Sequence, residues 1–240
     1  MTRPLSDHAA ARLRLAAVAL ALSALLFATF PLVRPFFPEP AAGASQSDIA
    51  AAADGLASRA WVISHLLAGA GFLALIPGLT GIWAALAAER LEGRAFAGLL
   101  LAFAGTALLL IILGAETFGL SAAGRAFAAG EAGDLAGLVE RVRTPVLFAI
   151  LLAGLLLLAA GSIVLATAIR RSDRLPHWGG IALAAGLTLW MPLLPQAARI
   201  VDGLTIGLAG CWLALGLWRI SRYTPATEAN ALPREVTEPT

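Results

Sequence analysis

The sequence contains no lysine, because all 17 of its basic residues are arginine. Without an amine side chain, retinal-type Schiff bases and mechanisms that use a lysine nucleophile are excluded. The one cysteine, Cys211, excludes an intrachain disulfide framework and a Cys-x-x-Cys redox pair. Two of the three histidines, His8 and His177, lie outside the apolar segments, so a haem held by two histidines is hard to build. We predict no cofactor.

Charged residues are also scarce. They make up 13% of the 240 residues, whereas 59% are hydrophobic and the mean hydropathy is +0.83. Soluble domains are about a quarter charged, so this composition predicts an integral membrane protein. The isoelectric point near 9.4 reflects arginines that flank apolar segments and meet lipid headgroups. The lipid bilayer is therefore the predicted partner, a homo-oligomer or a membrane protein partner stays open, and no nucleic acid is expected.

Apolar segments that are long enough to cross a bilayer recur along the chain. A run of about 20 residues matches the ~30 Å hydrocarbon core. We predict an all-α polytopic transmembrane bundle, a single domain over 1–222, with six spans at 15–33, 61–88, 96–120, 145–169, 178–194 and 200–217. The first segment is longer than the core of a signal peptide, so we interpret it as a retained span. Residues 223–240 are predicted to be a disordered cytoplasmic tail.

Two of the loops are predicted to contain short helices. Ser47 is expected to begin a helix that ends near Leu56, and Ser58 is expected to cap the second span. In the loop 121–144, apolar residues recur at helical spacing, while charged residues such as Arg143 face elsewhere. That pattern predicts an amphipathic helix at the membrane interface.

The distribution of arginine predicts the orientation. With six spans, both termini lie on the same side of the membrane. The loops on that side are shorter than those on the other side and yet carry more arginine. The positive-inside rule therefore predicts that both termini lie inside the cell. Basic residues that are all arginine, together with many Ala, Gly, Leu and Pro, are typical of a GC-rich bacterial genome, so we expect the bacterial cytoplasmic membrane.

In this topology, several polar residues lie at one depth near the outer ends of three spans. An ionisable residue inside a span is costly unless it is partnered, and by default it marks a site. A carboxylate beside an imidazolium or a guanidinium lowers the cost of burying either group. The predicted binding cluster comprises His65, Glu116, Arg199, Asp202, Ser64, Thr117 and Gln196.

The cluster is open to several interpretations. It fits a proton relay, a metal site formed by His65, Glu116 and Asp202, or a polar pocket for a small ligand. Alternatively, His65 and Glu116 form a buried pair that fixes helix register, while Arg199 and Asp202 extend to water. The sequence contains no nucleophile elbow, paired-histidine motif or phosphate loop, so we assign no catalytic residue.

Two further patterns concern the helices themselves. Gly203, Gly207 and Cys211 recur every fourth residue, which favours close helix packing and, less often, a dimer interface. Pro77 in the middle of the second span predicts a kink, because proline removes a backbone hydrogen bond.

Three short motifs carry a resemblance to known proteins. They are Ser-His-Leu-Leu at Ser64–Leu67, Gly-Ala-Glu at Gly114–Glu116 and Leu-Pro-His-Trp-Gly-Gly at Leu175–Gly180. Together they resemble a broad group of uncharacterised bacterial multi-pass membrane proteins over spans two to six. The resemblance implies the same architecture and no particular activity.

Our leading functional hypothesis is a non-enzymatic membrane protein with an outward-facing polar pocket, either a small transporter or a ligand sensor. One alternative is an intramembrane enzyme or metal-binding protein that uses His65 with Glu116 or Asp202. The other is a scaffold subunit that acts through its small-residue helix faces. Whether a metal binds is left open.

Overall fold

The computed structural model describes residues 7–40, 43–87, 91–190 and 195–222, and every regular element within these ranges is helical. The predicted tail, 223–240, lies outside the described residues. Along these ranges the elements are α1 (Asp7–Val33), α2 (Gln46–Ala57), α3 (Arg59–Ala87), α4 (Glu92–Gly114), a π segment (Ala115–Leu120), α5 (Ser121–Ala128), α6 (Leu135–Val142), α7 (Pro145–Arg170), α8 (His177–Leu189) and α9 (Gln196–Arg222).

Among the described residues, five helical segments are long and apolar enough to cross a membrane. They are Asp7–Val33, Arg59–Ala87, Glu92–Ala128, Pro145–Arg170 and Gln196–Arg222, the third of which joins α4, the π segment and α5. Large apolar side chains lie exposed along these helices, and Leu15, Leu156 and Leu208 are each at least 70% accessible. Such exposed apolar surface suits contact with hydrocarbon.

The segment predicted as the fifth span, 178–194, is shorter as a helix than expected. α8 has 13 residues and ends at Leu189, and residues 191–194 lie outside the described part of the chain. A helix of that length covers about 20 Å, less than the ~30 Å hydrocarbon core. Trp190 already has an extended backbone, and Pro192 and Pro195 follow it in the sequence. The described helices therefore include five of spanning length.

Packing contacts define two ends of the bundle. α1 runs antiparallel to α3 and α9, with Gly81 of α3 beside Ala16 and Gly203 of α9 beside Phe27. We call the end where α1 finishes and α3 and α9 begin the cap end, and the opposite end the far end. At the cap end, α2, α5 and α6, together named the cap, share a small apolar core with Trp61 of α3.

The small-residue patterns serve packing within the chain. Gly105 of α4 faces the backbone of Leu158 on α7, where a Cβ atom would collide with it. Gly203 and Gly207 similarly face α1, and Cys211 is partly buried. These close contacts bring helices together as small residues do in membrane bundles. The glycine face of α9, on which the scaffold hypothesis relied, is thus already covered by α1.

Helix capping agrees in part with the sequence pattern. α2 is capped by the hydroxyl of Ser45, whereas the sequence pattern favoured Ser47. The prediction for Ser58 is confirmed, because its hydroxyl accepts the backbone N–H of Trp61 at 3.1 Å. α6 confirms that an amphipathic helix forms in the loop 121–144, and its apolar side packs into the core of the cap. Its position at the membrane interface stays a prediction.

Candidate functional site

A π-helical turn brings Glu116 to the start of α3. π turns interrupt the regular hydrogen-bond ladder of an α-helix and are frequent at functional sites. Here the hydroxyl of Thr117 donates back to the carbonyl of Leu113, and the indole N–H of Trp61 donates to the backbone carbonyl of Glu116 at 3.1 Å. The indole contact ties the π segment to α3. The side chain of Glu116 then reaches His65.

His65 lies in the second turn of α3 and is only 3% exposed. Its Nδ1 atom is 2.8 Å from the backbone carbonyl oxygen of Trp61. Because a carbonyl oxygen only accepts, Nδ1 carries the hydrogen and donates it. The other ring nitrogen, Nε2, lies 3.7 Å from Oε2 of Glu116.

This orientation constrains where protons reside. A neutral imidazole with its hydrogen on Nδ1 presents the lone pair of Nε2, which repels an ionised carboxylate. The contact between Nε2 of His65 and Glu116 becomes attractive when either group carries an additional hydrogen. At 3.7 Å the two atoms are too far apart for a hydrogen bond, so the geometry fits a pair whose contact changes sign with the hydrogen that either group carries.

The second oxygen of Glu116 is held by Arg143, the residue that follows α6. Nε of Arg143 donates to Oε1 of Glu116 at 2.9 Å, and Nη1 donates to Oε2 of Glu39 at 2.8 Å. Burial lowers the pKa of Arg143, but the carboxylates of Glu116 and Glu39 raise it by more, so its pKa lies above the ordinary value. We call these three residues the Arg143 latch, since they join the cap and the loop after α1 to the π segment.

A cavity with about 30 Å³ of space for water lies beside the pair. A water molecule needs about 10–15 Å³ measured in this way, so one or two waters or a small ion would fit. α1, α3, α4, α9 and the π segment contribute to its wall. The lining residues are Phe27, Phe30, Arg34, His65, Leu113, Glu116, Trp190, Arg199, Asp202 and Gly203.

α9 contributes the two other charged residues of the predicted cluster to this cavity, Arg199 and Asp202. Asp202 is 8% exposed, and its Oδ1 atom has no hydrogen-bond partner among the described residues. Leaving a buried polar atom without a partner costs about 1–3 kcal/mol. A water or another donor in the cavity would remove that cost.

The other three predicted residues do not line the cavity. The side-chain amide of Gln196 donates to the carbonyl of Pro31 at 2.8 Å and so joins α9 to α1. The hydroxyl of Ser64 donates to the Trp61 carbonyl at 2.8 Å, and Thr117 bonds within its own helical segment. The structure thus brings together His65, Glu116, Arg199 and Asp202 and gives Ser64, Thr117 and Gln196 structural hydrogen bonds.

Sequence reasoning missed Arg34, Glu39, Trp61 and Arg143. The guanidinium of Arg34 lies 5.0 Å from the centre of the Trp61 ring system, and the His65 ring stacks on the same indole with centroids 4.1 Å apart. Such a position over an aromatic face stabilises a cation. Arg34 and Arg143 were recognisable as arginines at the boundaries of apolar segments, but nothing in the sequence showed that they face the site.

The described geometry supports a metal site or a catalytic site less well than it supports a polar pocket. Within the described ranges, no group of three His, Cys, Asp or Glu side chains is close enough to hold a metal ion. Ser64 is 3.4 Å from Nδ1 of His65, but Nδ1 donates its hydrogen to Trp61 and has no lone pair with which to activate a nucleophile.

Comparison with family models, curated proteins and solved structures found no match to this chain. The geometry and chemistry of the site carry information about function that a fold alone does not.

We predict that Arg143→Gln destabilises the protein by about 1.5–3 kcal/mol, the usual value of a hydrogen bond to a charged group. The loss arises because Glu116 keeps its charge in a buried position without the guanidinium. Thermal unfolding of the purified protein in detergent measures the effect. Arg141→Gln is the matched control, since Arg141 is exposed and on the same helix. Equal losses in the two variants would contradict the role given to the latch.

Proposed function

We propose that this chain is a non-enzymatic membrane sensor whose ligand is the proton, bound by His65 and Glu116. The observation that carries the proposal is the hydrogen bond from Nδ1 of His65 to the Trp61 carbonyl at 2.8 Å. It directs Nε2 toward Glu116, so the interaction between the two side chains depends on one hydrogen. Gain or loss of a proton then changes the charge on Glu116 or the sign of its contact with His65.

The Arg143 latch provides the link from proton binding to a change in shape. When Glu116 is ionised, Arg143 joins it to Glu39, which is half exposed. When Glu116 takes up a proton, the charge-assisted bond to Arg143 weakens. Arg143 follows directly on α6, so the polar contact that ties α6 to the π segment is loosened. The charge of Arg143 does not change in this process, because the nearby carboxylates raise its pKa.

A layer of buried apolar side chains between the cavity and the far end favours a sensor over a small transporter. The buried face of α3 continues from His65 through Phe72, Leu75, Leu79 and Ile82, all of them apolar and at most 2% exposed. An ion or polar solute in this layer would lose its hydration. Transport would therefore require α3 to move, and Pro77 marks the place where its backbone ladder lacks a hydrogen bond.

We further propose six membrane crossings with both termini inside a bacterial cytoplasmic membrane. In support, α7 finishes at the far end, and α9 begins at the cap end, where Gln196 bonds to Pro31. The chain between Arg170 and Gln196 thus joins opposite ends of the bundle, and α8 packs between α7 and α9 on the way. Arginine is denser in the loops assigned to the inside.

Labelling of single cysteines tests this topology. In a Cys211→Ala background, we expect Glu131→Cys to react with a membrane-impermeant maleimide in intact bacterial cells. Asp173→Cys and Arg222→Cys should react only after lysis, because Asp173 follows α7 and Arg222 ends α9, both at the far end. Labelling of Arg222→Cys in intact cells, with Asp173→Cys protected, would rule out the sixth crossing.

Hydrogen–deuterium exchange tests the sensor. We expect acidification to raise the exchange of α6 by about tenfold after correction for intrinsic rates, because a charge-assisted bond worth about 1.5–3 kcal/mol is weakened. Glu116→Gln should show the raised exchange at neutral pH and no further response to acid. Glu131→Gln, which changes an exposed carboxylate, is the control. A pH response of α6 that persists in Glu116→Gln would contradict the proposal.

A further inference from the structure

A second concave surface lies at the far end, away from the proton-binding pair. It is a groove of about 790 Å³ between the first turns of α1 and the last part of α3. Its wall runs from His8 to Ala16 on α1 and from Ile76 to Ala84 on α3. Volumes of about 300–1,000 Å³ are typical of sites for small organic ligands.

The polar groups of the groove are concentrated toward one end of it. His8 and Arg12 are exposed side chains in the first turns of α1, and the groove wall contains no carboxylate among the described residues. Trp83 lies nearby, and its ring packs on Phe96 with centroids 5.8 Å apart. The buried indole Nε1 of Trp83 has no acceptor within the described part of the chain. The end of the groove near the first turns of α1 therefore carries the positive charge of Arg12. The indole N–H of Trp83, beside it, is a hydrogen-bond donor without an acceptor among the described residues.

The remaining wall is apolar except for Thr80, whose hydroxyl donates to the carbonyl of Ile76, and it has the depth of a lipid chain. From Ala84 to Ile76, α3 rises by about 12 Å at 1.5 Å per residue. One leaflet of a bilayer is about 15 Å deep in its hydrocarbon region, half of the ~30 Å core. The groove thus extends from the end of the bundle, where headgroups lie, most of the way to the midplane.

We propose that this groove binds one acidic phospholipid. The headgroup phosphate lies against Arg12, a small rotation of Trp83 brings its Nε1–H to a phosphate or ester oxygen, and one acyl chain follows α3 toward Pro77. An acidic headgroup is specified because a zwitterionic one carries an ammonium group that offsets the attraction to Arg12. The site is independent of the proton-binding pair, since no residue lines both cavities.

Native mass spectrometry of the purified full chain tests the proposal. The probes are phosphatidylglycerol and phosphatidylcholine with the same acyl chains, titrated into detergent micelles. We expect one phosphatidylglycerol to bind more tightly than phosphatidylcholine. Arg12→Gln should weaken that binding about fivefold, as expected for one basic residue near an anionic surface. Trp83→Phe keeps the ring, removes the donor and should weaken binding of phosphatidylglycerol about two- to tenfold.

Arg14→Gln is the matched control, because Arg14 is exposed two residues further along α1 and does not line the groove. Ala84→Trp, which fills the groove, should weaken both lipids. Thermal unfolding in lipid-free detergent identifies any variant that fails to fold. Equal affinities for the two lipids, or equal effects of Arg12→Gln and Arg14→Gln, would overturn the proposal.

Discussion

The buried carboxylate of Glu116 is the group on which the arrangement of the cap end depends. It is placed in a segment that is otherwise apolar, where an ionised group is costly unless its charge is compensated. Arg143 compensates the charge by bonding to one oxygen, and the His65 ring faces the other oxygen, which it attracts only when Nε2 carries a hydrogen. Each of those partners is held by a further contact, to Glu39 and to the Trp61 carbonyl respectively.

These contacts explain why the loops at the cap end are folded rather than extended. Arg143 can reach Glu116 only if α6 lies over the π segment, and the apolar core shared by α2, α6 and Trp61 holds it there. The energy of one partly buried ion pair is thus connected to the position of three short helices. A change in the charge of Glu116 acts directly on α6, because Arg143, which follows α6, is bonded to the Glu116 carboxylate. Bistable contacts of this kind are how local protonation produces a change in structure.

Much of the fold was predictable from hydropathy, because bilayer thickness imposes the length of a spanning helix. The same hydropathy pattern predicted too long a helix for the fifth span. Its apolar run continues through residues 191–194, but the helix stops at Leu189 with prolines following. Helix length there is decided by backbone restrictions and not by hydrophobicity.

For the site, the sequence allowed only a prediction of the depth at which each residue lies in the membrane, and not of the direction in which its side chain points. His65 and Glu116 were placed at one depth because both lie near span ends on the same side, and the structure brings Nε2 and Oε2 to 3.7 Å. Depth alone does not give rotation about a helix axis, so Ser64 and Thr117 were included although they bond to backbone carbonyls. Arg143 was expected only to face away from the apolar side of α6, because a residue just beyond a short helix has no periodicity to orient it.

The most direct measurement of the central claim is the location of hydrogens on the His65 ring. Nitrogen-15 NMR of histidine-labelled protein in bilayers, in a His8→Gln and His177→Gln background, observes this ring alone. We expect a hydrogen on Nδ1 in every variant, and an Nε2 atom whose environment depends on the Glu116 side chain 3.7 Å away. The Nε2 signal should change in Glu116→Gln and remain unchanged in Glu131→Gln. A bare Nδ1, or an Nε2 signal that is indifferent to Glu116, would contradict the account.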